Sequence, residues 1–180
     1  MITVIAGSDR KDSSTLKVTN LALNFLKEIY SPIQLIDLHQ FPHELFRPEN
    51  YGNQNPKFKP YQDLILKSDG VLLVIPEYNG SFPGALKYFI DLLKFPESFN
   101  NMPCAFIGVA AGAFGGLRAV EQMEAVLHYR LANLYGQRVF FQKVQDKLSP
   151  DGSQIVDSFL KKLFEDALTG FVGWVQKLQK

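Results

Sequence analysis

The chain has 180 residues, of which 46% are hydrophobic and 21% charged, and its net charge is +1. This length suits one compact domain, and the near balance of charge gives no global field to draw in nucleic acid or an anionic membrane, so any anion has to be held locally. The single cysteine, Cys104, excludes an internal disulfide.

The first element is a short apolar run, Ile2 to Ala6. It has no basic leader and meets Gly7-Ser8-Asp9 too early for a signal peptide. No later apolar run approaches membrane-spanning length, so a cytoplasmic protein is expected. Four further runs follow at regular intervals: Ile33 to Leu38, Val71 to Ile75, Cys104 to Ala110, and Arg138 to Val144. The first, third and fourth of the five are apolar at consecutive positions, which marks strands buried on both faces of a parallel sheet. Within the fourth, Cys104 reads as a buried structural thiol.

Helical patterns separate the runs. Val18, Ala22, Phe25 and Ile29 form one face. Leu64 and Ile65 lie in a shorter helix ending at Asp69-Gly70, and Pro83 opens a third, with Leu86, Phe89, Ile90 and Leu93 as its apolar face. Leu117, Val120, Met123, Leu127, Leu131 and Leu134 mark a fourth. Ile155, Phe159, Leu163, Ala167, Phe171 and Val175 mark a long fifth, with Asp151-Gly152-Ser153 as its start. Between His39 and Pro60 the chain is irregular, with Pro42, Pro48, Pro56, Pro60 and Gly52. A loop of that length is expected either to cover a site, to reach a neighbouring subunit, or to be a plain surface excursion. Alternating strands and helices predict an α/β fold over residues 1–180, a flavodoxin-like three-layer sandwich on a five-stranded parallel sheet, with order 2-1-3-4-5 by fold analogy.

In such sheets ligands sit beyond the carboxyl ends of the strands, where the strand order switches. Three loops belong there. Gly7 to Thr15 follows a strand and opens a helix, where free amides and the helix dipole favour an anion. Ser8, Ser13, Ser14 and Thr15 bring hydroxyls and Arg10 a charged fork. An ordinary helix cap explains one such hydroxyl, not four and an arginine within eight residues. The Gly-x-Gly-x-x-Gly and Gly-Lys-Ser/Thr phosphate motifs are both missing. What remains is a phosphate monoester held by hydroxyls.

The second loop runs Pro76-Glu77-Tyr78-Asn79-Gly80-Ser81-Phe82-Pro83-Gly84. Asn-Gly signals a turn, its glycines allow close backbone approach, and Tyr78 and Phe82 are suited to flank a planar ring. A strand-to-helix turn capped by Ser81 explains the same residues. The third loop, Ala110 to Leu117, carries Gly112, Gly115 and Gly116. Arg118 follows at a helix start, where a cation opposes the dipole. Such a cation can serve a ligand phosphate, for instance that of NADPH, although a plain surface arginine accounts for Arg118 as well. His39, His43 and His128 lack metal-ligand spacing, no Gly-x-Ser-x-Gly elbow is present, and Glu121 and Glu124 read as solvated charges.

Gly7-Ser8-x-Arg10-x-x-Ser13, the stretch Pro76 to Ser81 with Pro83-Gly84-x-Leu86-Lys87, and Gly115-Gly116-x-Arg118-Ala119 together resemble the NAD(P)H-dependent FMN reductases, a group with quinone, chromate and azo-dye reductases among its members. The resemblance runs to about Leu134. It implies an oxidoreductase with non-covalently bound FMN, NADPH or NADH as electron donor, a small-molecule acceptor, and a homodimer or homotetramer. It also implies a ping-pong exchange of hydride at the flavin N5, with no catalytic side chain. Ser8, Arg10, Ser13, Ser14 and Thr15 would hold the phosphate. Pro76, Glu77, Tyr78, Asn79, Gly80 and Ser81 would meet the ribityl chain and ring, and Gly112, Gly115 and Gly116 the far edge. Two positions depart from the usual pattern: Tyr88-Phe89 stands where Asn-Ala is common, and Thr15 where Asn is common. The competing readings are a flavodoxin-type electron carrier without NAD(P)H oxidation, and a binder of another phosphorylated metabolite. Carriers of that type are strongly acidic and lack an arginine in the phosphate loop, unlike this chain.

Overall fold

A computed structural model describes residues 1–50 and 55–178. Gly52 lies outside the described residues. The strands β1 (Ile2–Ala6), β2 (Ile33–Asp37), β3 (Gly70–Pro76) and β4 (Pro103–Val109) pair in parallel in the order β2-β1-β3-β4. The fifth position is shared by two short strands, β5 (Asn133–Leu134) and β6 (Val139–Phe141), which both pair with β4. The expected order 2-1-3-4-5 is therefore present, with the last strand split. This is a flavodoxin-like arrangement.

The consecutive apolar residues of the central strands serve two cores. Val71, Leu73 and Ile75 of β3 join one cluster, while Leu72 and Val74 join the other. The helices α1 (Ser14–Ile29) and α5 (Ser158–Leu178) cover the second cluster. α3 (Gly84–Leu92) and α4 (Leu117–Tyr129) cover the first, together with Ile65 of α2 (Lys59–Leu66). Parallel strands need both faces covered, and this is how the chain does it.

Cys104 lies in β4 with no exposed surface, and burial drives its thiol far above the ordinary range. A thiol-reactive maleimide should therefore leave the native protein unmodified and label Cys104 fully in denaturant, as read by mass. Labelling at equal rates in both states would contradict this burial.

Three expected elements differ. The fourth helix stops at Tyr129, so Leu131 is outside it and Leu134 belongs to β5. The stop is a Schellman motif: Ala132 N–H donates to the Leu127 carbonyl at 3.0 Å, Leu131 N–H donates to that of His128 at 3.0 Å, and Leu131 is left-handed at φ 64°. The fifth helix begins at Ser158, with Asp157 Oδ1 accepting from Leu160 N–H at 2.9 Å. Asp151 instead caps its own turn through Ser149 and Ser153. Ile155 bridges to Leu148. The buried stripe in the first half of α5 is Leu160 and Phe164, while Phe159 and Leu163 face outward. In the sheet, only Val139–Phe141 of the run Arg138 to Val144 is strand.

From the irregular segment after β2, Phe41, Leu45 and Phe58 pack into the core. Phe41, Phe58, Tyr61 and Phe89 form a cluster with ring centroids 5.1 to 6.3 Å apart. Phe46 sits 5.3 Å from Tyr88, whose hydroxyl donates to the Arg47 carbonyl at 2.6 Å. The two residues that replace Asn-Ala thus hold this segment against α3.

Candidate functional site

The sheet brings the ends of β1, β3 and β4 level, and the loops leaving them meet at its carboxyl edge. Gly7 N–H donates to the Val74 carbonyl at 2.9 Å, and Glu77 N–H to the Val109 carbonyl at 3.1 Å. A Cβ at Gly7 would lie 2.9 Å from the Val74 oxygen, so the first loop can leave β1 this tightly only with glycine.

Within that loop the four hydroxyls divide. Ser13 is the helix cap and accepts from Leu16 N–H at 3.1 Å. Ser14 is half-buried and Thr15 buried in the first turn. Ser8, 2% exposed, is held by Tyr78 from the second loop, its Oγ 2.7 Å from the Tyr78 hydroxyl. Arg10 and Lys11 are exposed. No acidic residue stands in the first turn of α1, so its positive end is left for an anion. His39, which lacks metal-ligand spacing, donates from Nδ1 to the Asp9 carbonyl at 3.0 Å. Its position just after β2 placed it on the same sheet edge.

The second loop is a tight hairpin. Asn79 at φ 53° and Gly80 at φ 78° form its two left-handed positions, as a type I′ turn requires. Tyr78 and Ser81 close it with hydrogen bonds of 2.8 and 3.1 Å. Two residues of α4 clamp this turn. Arg118 Nη1 lies 3.0 Å from Glu77 Oε1, with its guanidinium 4.5 Å from the Phe114 ring centre. One turn on, Gln122 donates to the Gly80 carbonyl at 3.0 Å and accepts from Ser81 Oγ at 2.6 Å. Glu77 explains why a cation is tolerated at this helix start. Arg118 is thereby engaged on both sides. Gln122 lacked any motif signal, but its i+4 spacing from Arg118 put it on the same face.

In the third loop, Gly115 and Gly116 are buried and left-handed at φ 62° and 89°. They pack on β4 and β6, whereas Gly112 is exposed with nothing within 4 Å of a Cβ position. Glu124, expected in solvent, pairs with Arg138 at 3.1 Å because β6 follows α4 closely.

One polar atom stands out. Glu77 is 13% exposed, and among the described residues its buried Oε2 has no hydrogen-bond partner. An orphaned buried carboxylate oxygen is costly unless a ligand donates to it. FMN carries both ribityl hydroxyls and a ring N–H, and its phosphate suits the helix end beside Ser8 and Arg10. The residues present therefore fit the group.

The family model for NADPH-dependent FMN reductase matches residues 1–146. The chain belongs to this family. It is 32% identical over 173 residues to a quinone reductase of Pseudomonas putida, covering 88% of this chain and 91% of the relative. It is 31% identical over 166 residues to an NADPH azoreductase of a Bacillus species, covering 90% and 89%. Among solved structures, the flavoenzyme NAD(P)H:(acceptor) oxidoreductase FerB of Paracoccus denitrificans superposes with a TM-score of 0.78 at 26% identity, covering 98% and 97%. As a member of the FMN reductase family the protein is a flavin-dependent NAD(P)H oxidoreductase. The reading as an electron carrier without its own NAD(P)H oxidation gives way to this. Among the described residues, no helix of this FMN reductase is long and apolar enough to cross a membrane.

Proposed function

We propose that this protein holds FMN across its three carboxyl-edge loops and passes reducing equivalents from NAD(P)H to a quinone, a flavin or a similar small acceptor. The observation that carries the reading is the junction of the first and second loops at Ser8 and Tyr78. It brings the hydroxyl-rich first loop against the Tyr78–Ser81 turn, which supports a phosphate site beside a ring site. Ser8, Arg10, Ser13, Ser14 and Thr15 would receive the phosphate. Pro76 to Ser81 would line the ribityl chain and ring, and Gly112, Gly115 and Gly116 the ring's far edge. Bound FMN would supply hydride acceptance and electron delivery, donor and acceptor taking turns at one face in ping-pong order.

The protein's own contribution is placement. The type I′ turn fixes the Tyr78–Ser81 backbone, and the Arg118 and Gln122 clamp keeps it against α4. Glu77 Oε2 supplies a buried acceptor. No side chain in the site is asked to act as nucleophile or general base. A homodimer or homotetramer in the cytoplasm is proposed from the resemblance. The groove between α3 and α4, where Phe95 and Tyr129 stack in the open at 5.7 Å, suits a subunit contact.

Purified protein should be yellow, or become so with FMN, and should oxidise NADPH when a quinone is added. Colourless protein that takes up no FMN would overturn the reading. Alternating order is checked by initial rates at several fixed acceptor concentrations, where parallel double-reciprocal lines are expected.

A further inference from the structure

The geometry points to Tyr78 as a positioning residue for the phosphate end of the site, acting through Ser8 and Arg10, although it belongs to the loop that faces the ring. This rests on the proposed flavin site and deepens it.

Ser8 is 2% exposed, so its hydroxyl has few directions in which to turn. Its Oγ accepts from Arg10 N–H at 3.2 Å and lies 2.7 Å from the Tyr78 hydroxyl. A serine hydroxyl has one proton to give and two lone pairs. With Arg10 N–H on one lone pair and the Tyr78 proton on the other, the Ser8 proton is left for an outside acceptor. An anion in the first loop selects that arrangement, because it accepts and cannot donate. Hydrogen bonds in such a chain strengthen one another. Tyr78 also meets Arg10 directly, with the guanidinium carbon 5.9 Å from the ring centre. One side chain thus orders both a neutral and a charged donor. Its own backbone is fixed by the hairpin bonds to Ser81, so the ordering is built into the protein before a ligand arrives.

The consequence is selectivity for phosphorylated over unphosphorylated flavin. Tyr78→Phe keeps the ring over Arg10 and removes only the hydroxyl. Tyr78→Leu removes both. The ratio of riboflavin to FMN dissociation constants, read by flavin fluorescence on the same preparation, isolates the phosphate end, because contacts to the ring cancel. In Tyr78→Phe this ratio should fall roughly three- to tenfold, the worth of one neutral hydrogen bond, and in Tyr78→Leu it should fall further. In Ser8→Ala the hydroxyl of Tyr78 has nothing to act on, so adding Tyr78→Phe should change the ratio little more.

An unchanged ratio in Tyr78→Phe, with FMN and riboflavin weakened equally or not at all, overturns the inference while leaving the flavin site standing. Full additivity of Ser8→Ala and Tyr78→Phe overturns it as well. Wild-type protein that binds neither flavin would instead fail the functional reading itself. A variant that has lost its fold is recognised by its circular dichroism, and Tyr78→Trp, which keeps a ring and an N–H donor, then replaces it. Partial retention of the ratio in Tyr78→Trp is expected, and its complete loss would count against a donor role.

Discussion

Replacing Arg10 by alanine should weaken FMN binding by about 1.5–3 kcal/mol, the contribution of a charge-assisted contact to phosphate. That is roughly a 10- to 150-fold rise in the dissociation constant. The structure gives the reason for so large an effect at an exposed position. The Arg10 backbone is tied to the buried Ser8 hydroxyl and its guanidinium lies over Tyr78, so the charge is already placed before the phosphate arrives. Little ordering remains to be done on binding. The chain as a whole carries only +1, so no general field compensates for its loss. Lysine at position 10 should recover part of the affinity, since it keeps the charge without the planar fork. Fluorescence titration of the FMN-free protein reads both variants. An unchanged dissociation constant in the alanine variant would remove Arg10 from the site.

The second large effect is expected at Gly116. This residue caps α4 at φ 89°, in the left-handed region, and a Cβ there would sit 2.7 Å from the Val109 nitrogen and 3.1 Å from the Gly108 carbonyl carbon. Both atoms belong to the carboxyl end of β4, which is paired to β3 on one side and β6 on the other, so neither can move aside. Gly116→Ala should cost about 1–2 kcal/mol for the backbone conformation and a further ~1–3 kcal/mol for the clash. For a chain of this size, Tm should fall by roughly 5–20 °C. FMN affinity should fall too, because the same shift carries Arg118 away from Glu77. Gly112→Ala is the control. It adds a methyl group in open space and should stay within about 0.5 kcal/mol of the parent. Thermal melts of the two variants decide the matter, and a Gly116→Ala melt matching the parent would contradict the packing described.

How much of this was legible in the sequence depends on how local each signal is. The central strands were, because residues buried on both faces leave uninterrupted apolar runs, as in Val71 to Ile75. The loops at their ends carried their own turn chemistry in Asn79-Gly80 and their own donors in Ser8 and Arg10. The end of α4 was not legible, since its left-handed terminal position is filled by Leu131 instead of glycine, and leucine reads as a continuation of the apolar stripe. β5 escaped because two residues make no pattern. The start of α5 was misplaced because Asp151-Gly152-Ser153 and Asp157-Ser158 both look like caps, and only the Leu148 to Ile155 bridge separates them. In the site, His39 and Gln122 meet Asp9 and Ser81 across 30 and 41 residues of sequence, which no motif spans, whereas Phe114 lies one helical turn before Arg118 and carried no polar signal of its own.

The split of the last strand has a meaning for the protein in solution. A sheet ends in a row of unpaired peptide groups, and a long flat row of that kind invites a second molecule to add its own strand. Here the outer row beside β4 is two residues, a break from Tyr135 to Arg138, and three residues more. Neither piece is long enough to template another chain. The interruption that hid β5 from the sequence pattern therefore blunts an edge at which copies of this protein would otherwise join strand to strand.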